Sequence, residues 1–330
     1  MTLTAAAIRW SGPERIDVGP AMEGRPLQPT AVRLAVTSAG LCGTDLSVWR
    51  GAHALATPGV VLGHEFGGRV IAVGTAVSGV AIGDLVAVDP NLSCDRCAHC
   101  SAGSRARCAE RRLLGVEADG GLQAAIDLDQ AQLIPVPGAD PRALGLVEPL
   151  AVGIHAVVRA AIAGGDRVGI LGGGPIGMAA AVEAHRRGAT CIVLEADAAR
   201  RTAIDEGGLA RSIADPWPSR SLDVVIDTVA RASTVALALD AVRDGGTVCL
   251  VGLSHDDRLP GPEQIVRREV TITGSFCYQT ADLRRAAEIV GEHGLDAVPT
   301  VTIDGLAAVP ELIEELAAGA IGRGKSIVIP

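Results

Sequence analysis

The sequence predicts an α/β protein in two parts: a doubly wound parallel sheet in the second half of the chain and a β-rich first part. Three observations carry this reading. Strand-like and helix-like runs alternate from about residue 150, a glycine-rich turn at Gly172–Gly177 separates the first such strand from its helix, and four cysteines crowd between Cys94 and Cys108. At 330 residues the chain is long enough for two separate cores. Hydrophobic residues make up 48% and aromatics only 2%, so Val, Leu, Ile and Ala must fill those cores.

In the first part, Ala31 to Ser38 alternates as a strand does. Gly67 to Val73 and Leu85 to Asp89 are short β-type runs bounded by Gly and Asp. Arg96 to Arg112 is a polar loop with too little apolar pattern to fold unaided, which is where a metal staple is expected. In the second part Val168 to Leu171 reads as a strand, Ile176 to Arg187 as a helix with an Ala-rich buried face, and Cys191 to Leu194 as the next strand. Ala198 to Glu206 is helical, and strands follow at Val224 to Asp227, Thr247 to Val251 and Val270 to Gly274. Strands separated by helices indicate a parallel sheet covered on both faces. From about Leu283 come two more helical patterns and a final strand, Ser326 to Ile329.

Several function classes are excluded. No apolar run approaches the ~18 residues of a membrane span, and Met1 to Trp10 lacks the basic-then-apolar pattern of a secretory signal. The net charge is −9 and the basic residues are scattered, which argues against nucleic-acid binding. Eight cysteines could belong to a disulfide scaffold, but half of them have metal spacing and Cys191, Cys249 and Cys277 sit singly in strand-like runs. The expectation is a reduced, cytoplasmic, metal-binding protein.

Cys94, Cys97, Cys100 and Cys108 follow the pattern C-x2-C-x2-C-x7-C. Four thiolates this close converge on one ion, and zinc is the usual ion for four sulfurs. Such a site is closed and structural. A second donor set lies in Cys42-Gly-Thr-Asp45 and Gly63-His64-Glu65, with a further carboxylate at Glu148, just before the α/β part begins. Three protein ligands and an open position define a catalytic zinc, which polarises a substrate oxygen and makes the attached carbon a hydride donor. Asp45 is placed to hold the free ring nitrogen of His64.

Gly172-Gly-Gly174-Pro175-Ile176-Gly177 satisfies G-x-G-x-x-G in the context that gives the pattern meaning, after a strand and at the start of a helix. Gly172 permits the tight turn, Gly174 lets the backbone approach a pyrophosphate, and Gly177 lets helix pack on strand. The anion then rests on the helix N-terminus, where Pro175 and Ile176 begin the first turn. Glu195, ending the next strand, would accept from the adenosine ribose hydroxyls and repel a 2′-phosphate, favouring NAD over NADP. Arg200 lies a turn later and works against that preference. Lys325, in Gly322-Arg-Gly-Lys325, is expected to reach the pyrophosphate from the last strand.

These motifs, in this order and spacing and over essentially the whole chain, resemble the zinc-dependent medium-chain alcohol dehydrogenases. Glu148-Pro-Leu-Ala-Val-Gly-Ile-His155 and Gly174-Pro-Ile-Gly-Met178 are similar to the sorbitol and related polyol dehydrogenases. Cys42-Gly-Thr-Asp-Leu46 and Gly63-His-Glu-Phe-Gly67 are similar to threonine and butanediol dehydrogenases. The resemblance implies a GroES-like catalytic domain from residues 1–149 and 280–330, carrying two zinc ions, and a Rossmann NAD-binding domain at 150–279. It implies a catalytic zinc on Cys42, His64 and either Glu65 or Glu148, a structural zinc on the four cysteines, and a homodimer or homotetramer paired through the Val270–Gly274 edge. Thr44 is in place to take the substrate proton. The position where many alcohol dehydrogenases carry a relay histidine holds Ser47, and the Arg that precedes the pocket Tyr in sorbitol dehydrogenases is replaced by Cys277, before Tyr278. The expected reaction is reversible hydride transfer between NAD and a secondary alcohol of a polyol, diol or similar small polar substrate. A cyclitol or aminocyclitol substrate of secondary metabolism, which suits Ser47, is the alternative. A non-catalytic zinc and NAD sensor would show lost ligands, and none is missing.

Overall fold

The structure is a computed structural model that describes residues 6–20, 26–253, 262–319 and 324–330. Part of the Met1–Trp10 segment, and Gly322 and Arg323, lie outside the described residues. The chain divides into two units, one made of residues 1–148 with 279–330 and the other of 149–278.

The first unit begins with an antiparallel hairpin, β1 (Ala6–Gly12) and β2 (Arg15–Pro20). Strand β3 (Ala31–Gly40) leads into the short helix α1 (Gly43–Trp49), followed by β4 (Glu65–Val73) and β5 (Leu85–Val88). A small lobe comes next, with β6 (Asn91–Leu92), one helical turn α2 (Ala98–Ser101) and β7 (Arg112–Leu113). The polar Arg96–Arg112 loop therefore has local structure of its own, including a 3-10 turn at Arg105–Arg107. Strands β8 (Ala125–Asp129) and β9 (Leu133–Pro135) complete this stretch before helix α3 (Val147–Arg159). The period-two alternation of β3 puts Val32, Leu34 and Val36 into a core with Ile8, Leu62, Phe66 and Val70.

Pro141–Arg159, a 3-10 turn running into α3, has the length and composition of a membrane span, with 19 residues and a mean hydropathy of 1.3. Reading single apolar runs missed this stretch, because Arg142, Glu148 and His155 interrupt it. It is 72% buried within the protein, as a core helix is.

The second unit runs β10 (Arg167–Leu171), α4 (Pro175–Arg186), β11 (Thr190–Leu194), α5 (Ala198–Gly207), β12 (Arg211–Ile213) and β13 (Leu222–Asp227). It continues with α6 (Ala232–Ala241), β14 (Val242–Leu250), α7 (Pro262–Arg267) and β15 (Thr271–Gly274). The sheet order is β12-β11-β10-β13-β14-β15 and every pairing is parallel. Val168, Ile170 and Val224 face one apolar cluster while Leu171, Val225 and Val248 face another, so both sides of the sheet are covered. Ala180, Ala181 and Ala184 line the packed face of α4, and their small side chains let the helix lie close to the strands. The strand predicted at Val270–Gly274 is the edge strand of this sheet.

The chain then returns to the first unit through α8 (Thr280–His293), β16 (Thr300–Asp304), α9 (Val309–Ala317) and β17 (Lys325–Ile329). The order of the first unit's main sheet is β16-β17-β3-β4-β5-β9, with β8 also on β3. The last strand is thus interior to that sheet, parallel to β16 and antiparallel to β3.

Candidate active site and metal centres

Cys42 is placed by a cap. It closes β3 and stands at the N-cap of α1, where its backbone N–H donates to Asp45 Oδ2 at 2.9 Å. Asp45 is fully buried, and its other oxygen accepts the Gly63 N–H at 3.0 Å and lies 3.7 Å from His64 Nδ1. One carboxylate therefore joins the Cys42 turn to the His64 segment, two pieces of chain that must meet. Burial opposes charge on Asp45, but the His64 imidazole and these two N–H donors hold it below the usual carboxylate range. Burial likewise opposes a cationic His64, yet Asp45 and Cys42 raise its pKa well above the ordinary value. Both shifts describe an imidazole set between anions, which is where a metal cation fits.

The Cys42 sulfur, a His64 ring nitrogen and a Glu65 oxygen lie within 4.8 Å of one another. Thiolate, imidazole and carboxylate form a donor set suited to zinc, and the spacing needs little contraction to close on one ion. Glu148, in the first turn of α3, lies outside that triad. Burial and the charge of Glu65 push its carboxyl up to about 7, so the two acids sense each other. The Thr44 hydroxyl is 3.9 Å from the Cys42 sulfur, and Ser47 follows one turn later on the same helix.

The expectation for Lys325 needs correcting. Its side chain is buried, pairs with Glu65, and donates to the Leu41 carbonyl at 2.7 Å. A sheltered ammonium already committed to the donor cluster is not presented to a pyrophosphate. Sequence reading missed this because partners so far apart in the chain meet only through sheet pairing.

In the cysteine lobe, the Cys97–Cys100 and Cys94–Cys100 sulfur separations are 3.4 and 3.9 Å. Tetrahedral zinc with ~2.3 Å bonds requires about 3.8 Å between sulfurs, whereas a disulfide requires ~2.05 Å. All eight cysteines are free thiols. Backbone N–H groups of Arg96 and Cys97 lower the Cys94 pKa to about 6, favouring the thiolate that a metal needs. Arg105 ties the lobe down by donating to Ser93 Oγ at 2.8 Å and to the Ala131 carbonyl at 2.9 Å.

The glycine turn lies at the C-terminal end of β10, where the strand order reverses between β10 and β13, the place where open parallel sheets bind ligands. Gly172 has φ +91°, a conformation that disfavours any side chain, and Gly174 caps α4 with Pro175 in its first turn. A Cβ on Gly177 would stand 2.0 Å from the Gly172 carbonyl oxygen. Gly177→Ala is therefore expected to push the turn away from the helix. It should weaken NADH binding about tenfold or more and destabilise the fold by ~1–3 kcal/mol, as read by fluorescence titration and thermal melting.

A cavity of about 500 Å³ opens here, lined among others by Gly172, Gly174, Glu195, Arg200 and Thr228. Glu195 accepts the Gly173 N–H at 2.8 Å and the Asp197 N–H at 2.9 Å, with Arg200 3.9 Å away. Its carboxylate retains lone pairs for ribose hydroxyls. Sequence reading missed Thr228, which lines the cavity, and the fully buried Asp227 next to it. Buried Asp227 accepts from the Val229 and Ala230 N–H groups at 2.9 and 2.8 Å, and Thr228 Oγ1 donates to the Leu171 carbonyl at 2.7 Å. An Asp-Thr pair at a strand end was the available signal.

Two family models match the chain, the alcohol dehydrogenase GroES-like domain over residues 28–138 and the zinc-binding dehydrogenase domain over residues 175–292. L-galactonate-5-dehydrogenase of Escherichia coli K12 is 31% identical over 276 residues, covering 80% of this chain and 81% of that protein. Sorbitol dehydrogenase of Halalkalibacterium halodurans is 30% identical, covering 82% and 83%. A crystal structure of a zinc-binding dehydrogenase from Sinorhizobium meliloti 1021 bound to NADP superposes with a TM-score of 0.89 at 31% identity, covering 99% of both chains.

Proposed function

The chain belongs to the zinc-binding dehydrogenases that carry an alcohol dehydrogenase GroES-like domain, and from that membership we propose that it oxidises a secondary alcohol of a small polar substrate, a polyol, diol or sugar acid, reversibly and with NAD. The observation that carries the proposal is the triad of half-buried Cys42 with buried His64 and Glu65, beside the Thr44 hydroxyl. A zinc ion held there would supply Lewis acidity toward the substrate oxygen, and a bound nicotinamide would supply the hydride acceptor. Cys42 and His64 hold the metal with a carboxylate from Glu65 or Glu148. Asp45 fixes the orientation of the His64 ring. Thr44 receives the proton that the substrate hydroxyl loses, and Ser47 or solvent carries it on. Cys94, Cys97, Cys100 and Cys108 hold the structural zinc. The names of the galactonate and sorbitol enzymes support a substrate bearing several hydroxyl groups.

Gly172, Gly174, Pro175, Ile176 and Gly177 would cradle the pyrophosphate, with Glu195 and Arg200 at the adenosine end. The anionic Glu195 disfavours a 2′-phosphate, while Arg200 and the NADP bound by the Sinorhizobium relative point the other way. Glu195→Gln is expected to lower the NAD-to-NADP ratio of kcat/KM about 10–100-fold, since like charges in contact cost several kcal/mol. An unchanged ratio would remove Glu195 from this role. Strand β15 ends the sheet order among the described residues, and such an edge can pair with a second copy, which supports a homodimer or homotetramer. Eight free thiols support a cytoplasmic setting.

Cofactor reduction followed by absorbance across linear polyols, sugar acids, butanediol, threonine and cyclitols, with and without a chelator, tests the proposal. Turnover of one class, lost on chelation, is the expected result. Turnover that survives removal of both metals would overturn it.

A further inference from the structure

Neither the proton path nor the dinucleotide pocket uses Lys325, yet this lysine is only 2% exposed. A buried ammonium is costly unless paired. The sheet register explains how it is paired. Ile327 of β17 stands opposite Gly40 of β3, and Gly40 stands opposite Glu65 of β4. Lys325 precedes Ile327 by two residues and so shares its face. The strands on either side of β3 are about 10 Å apart, a gap that a lysine and a glutamate can close only if nothing stands between them. A Cβ on Gly40 would lie 2.2 Å from Glu65 Oε2 and 2.9 Å from Lys325 Cε. The glycine is thus the opening through which the two side chains meet.

The pairing bears on the metal. The Cys42 thiolate and the Glu65 carboxylate would together balance the two positive charges of a zinc ion, and the Lys325 ammonium sets a further positive charge against Glu65. Asp45 has its own donors in the Cys42 and Gly63 N–H groups. With zinc bound, Glu65 would face two cations, and each would weaken the hold of the other.

We infer that Lys325 is a positioning residue that competes with the metal for Glu65, making Glu65 an exchangeable ligand and keeping one coordination position open to substrate. The inference rests on the proposed zinc site at Cys42 and His64. Lys325→Met keeps the stem of the side chain and removes its charge. It is expected to slow removal of the metal by a chelator about 10–100-fold, the range over which groups behind metal ligands tune affinity. It should also change the visible spectrum of the cobalt-substituted protein, while Lys325→Arg keeps wild-type values in both. A Lys325→Met protein with wild-type or faster metal release and an unaltered cobalt spectrum overturns the inference.

Should that variant fail to fold, the double variant Glu65→Gln with Lys325→Met buries neither charge alone. It is expected to retain metal at both sites, and loss of the Cys42 metal would overturn the inference. Cys42→Ser separates the two ideas. If it keeps both metals the zinc site itself is wrong, and if it loses one, an unresponsive Lys325→Met defeats the competition alone.

Discussion

Replacing Cys42 by serine is expected to lower kcat/KM at least about a thousandfold while leaving the fold intact. The metal's Lewis acidity is worth several kcal/mol at the transition state, and each ~1.4 kcal/mol is a factor of ten in rate. A serine hydroxyl cannot supply the anionic sulfur that zinc prefers. It can still occupy the N-cap of α1, because that cap depends on the backbone N–H of residue 42 and the Asp45 carboxylate. Metal analysis should show one zinc fewer per chain, NADH should still bind, and the melting temperature should move by only a few degrees. Retention of activity with full metal content would remove Cys42 from the site.

Cys97→Ser should behave in the opposite way, with a large effect on stability and a secondary one on chemistry. Between Arg96 and Arg112 the buried residues are Ser104, Ala106 and Cys108, so the lobe has almost no apolar core to hold it. Where a metal replaces a core, its binding energy is folding energy. Losing one of four sulfurs should cost several kcal/mol and lower Tm by roughly 10 °C or more. Proteolysis should then cut first between residues 94 and 108, and substrate turnover should survive at low temperature. A wild-type melting curve together with a lost zinc would show that the lobe holds itself by the Arg105 contacts alone.

What could be read from the sequence was local. The cysteine spacing, the glycine turn after a strand and the Cys42-Gly-Thr-Asp segment each place their groups within a few residues, so spacing alone carries the chemistry. The alternation of strands and helices likewise led to the parallel sheet. What escaped was non-local. Lys325 was expected at the pyrophosphate, and its partner was visible only after β17 had been set beside β3 with Gly40 in the gap. Asp227 was read only as the end of a strand and Thr228 was not singled out, since their setting depends on β13 lying next to β10. The short helix α2 went unseen because a single turn, capped by Cys97 and carrying Cys100, has no periodicity to detect.

The interior position of β17 has a consequence for how the molecule is made. As the chain leaves the ribosome, residues 149–278 form one continuous stretch and can acquire their parallel sheet while synthesis is still under way. The unit carrying both metal clusters cannot close in that way, because the strand that separates β16 from β3 follows the 149–278 stretch in the chain. Until it arrives, β3 and Glu65 wait beside an unfilled slot in the sheet. That unit is therefore exposed to aggregation for longer than the other, and closure of the sheet beside Cys42 and His64 waits for the synthesis of β17.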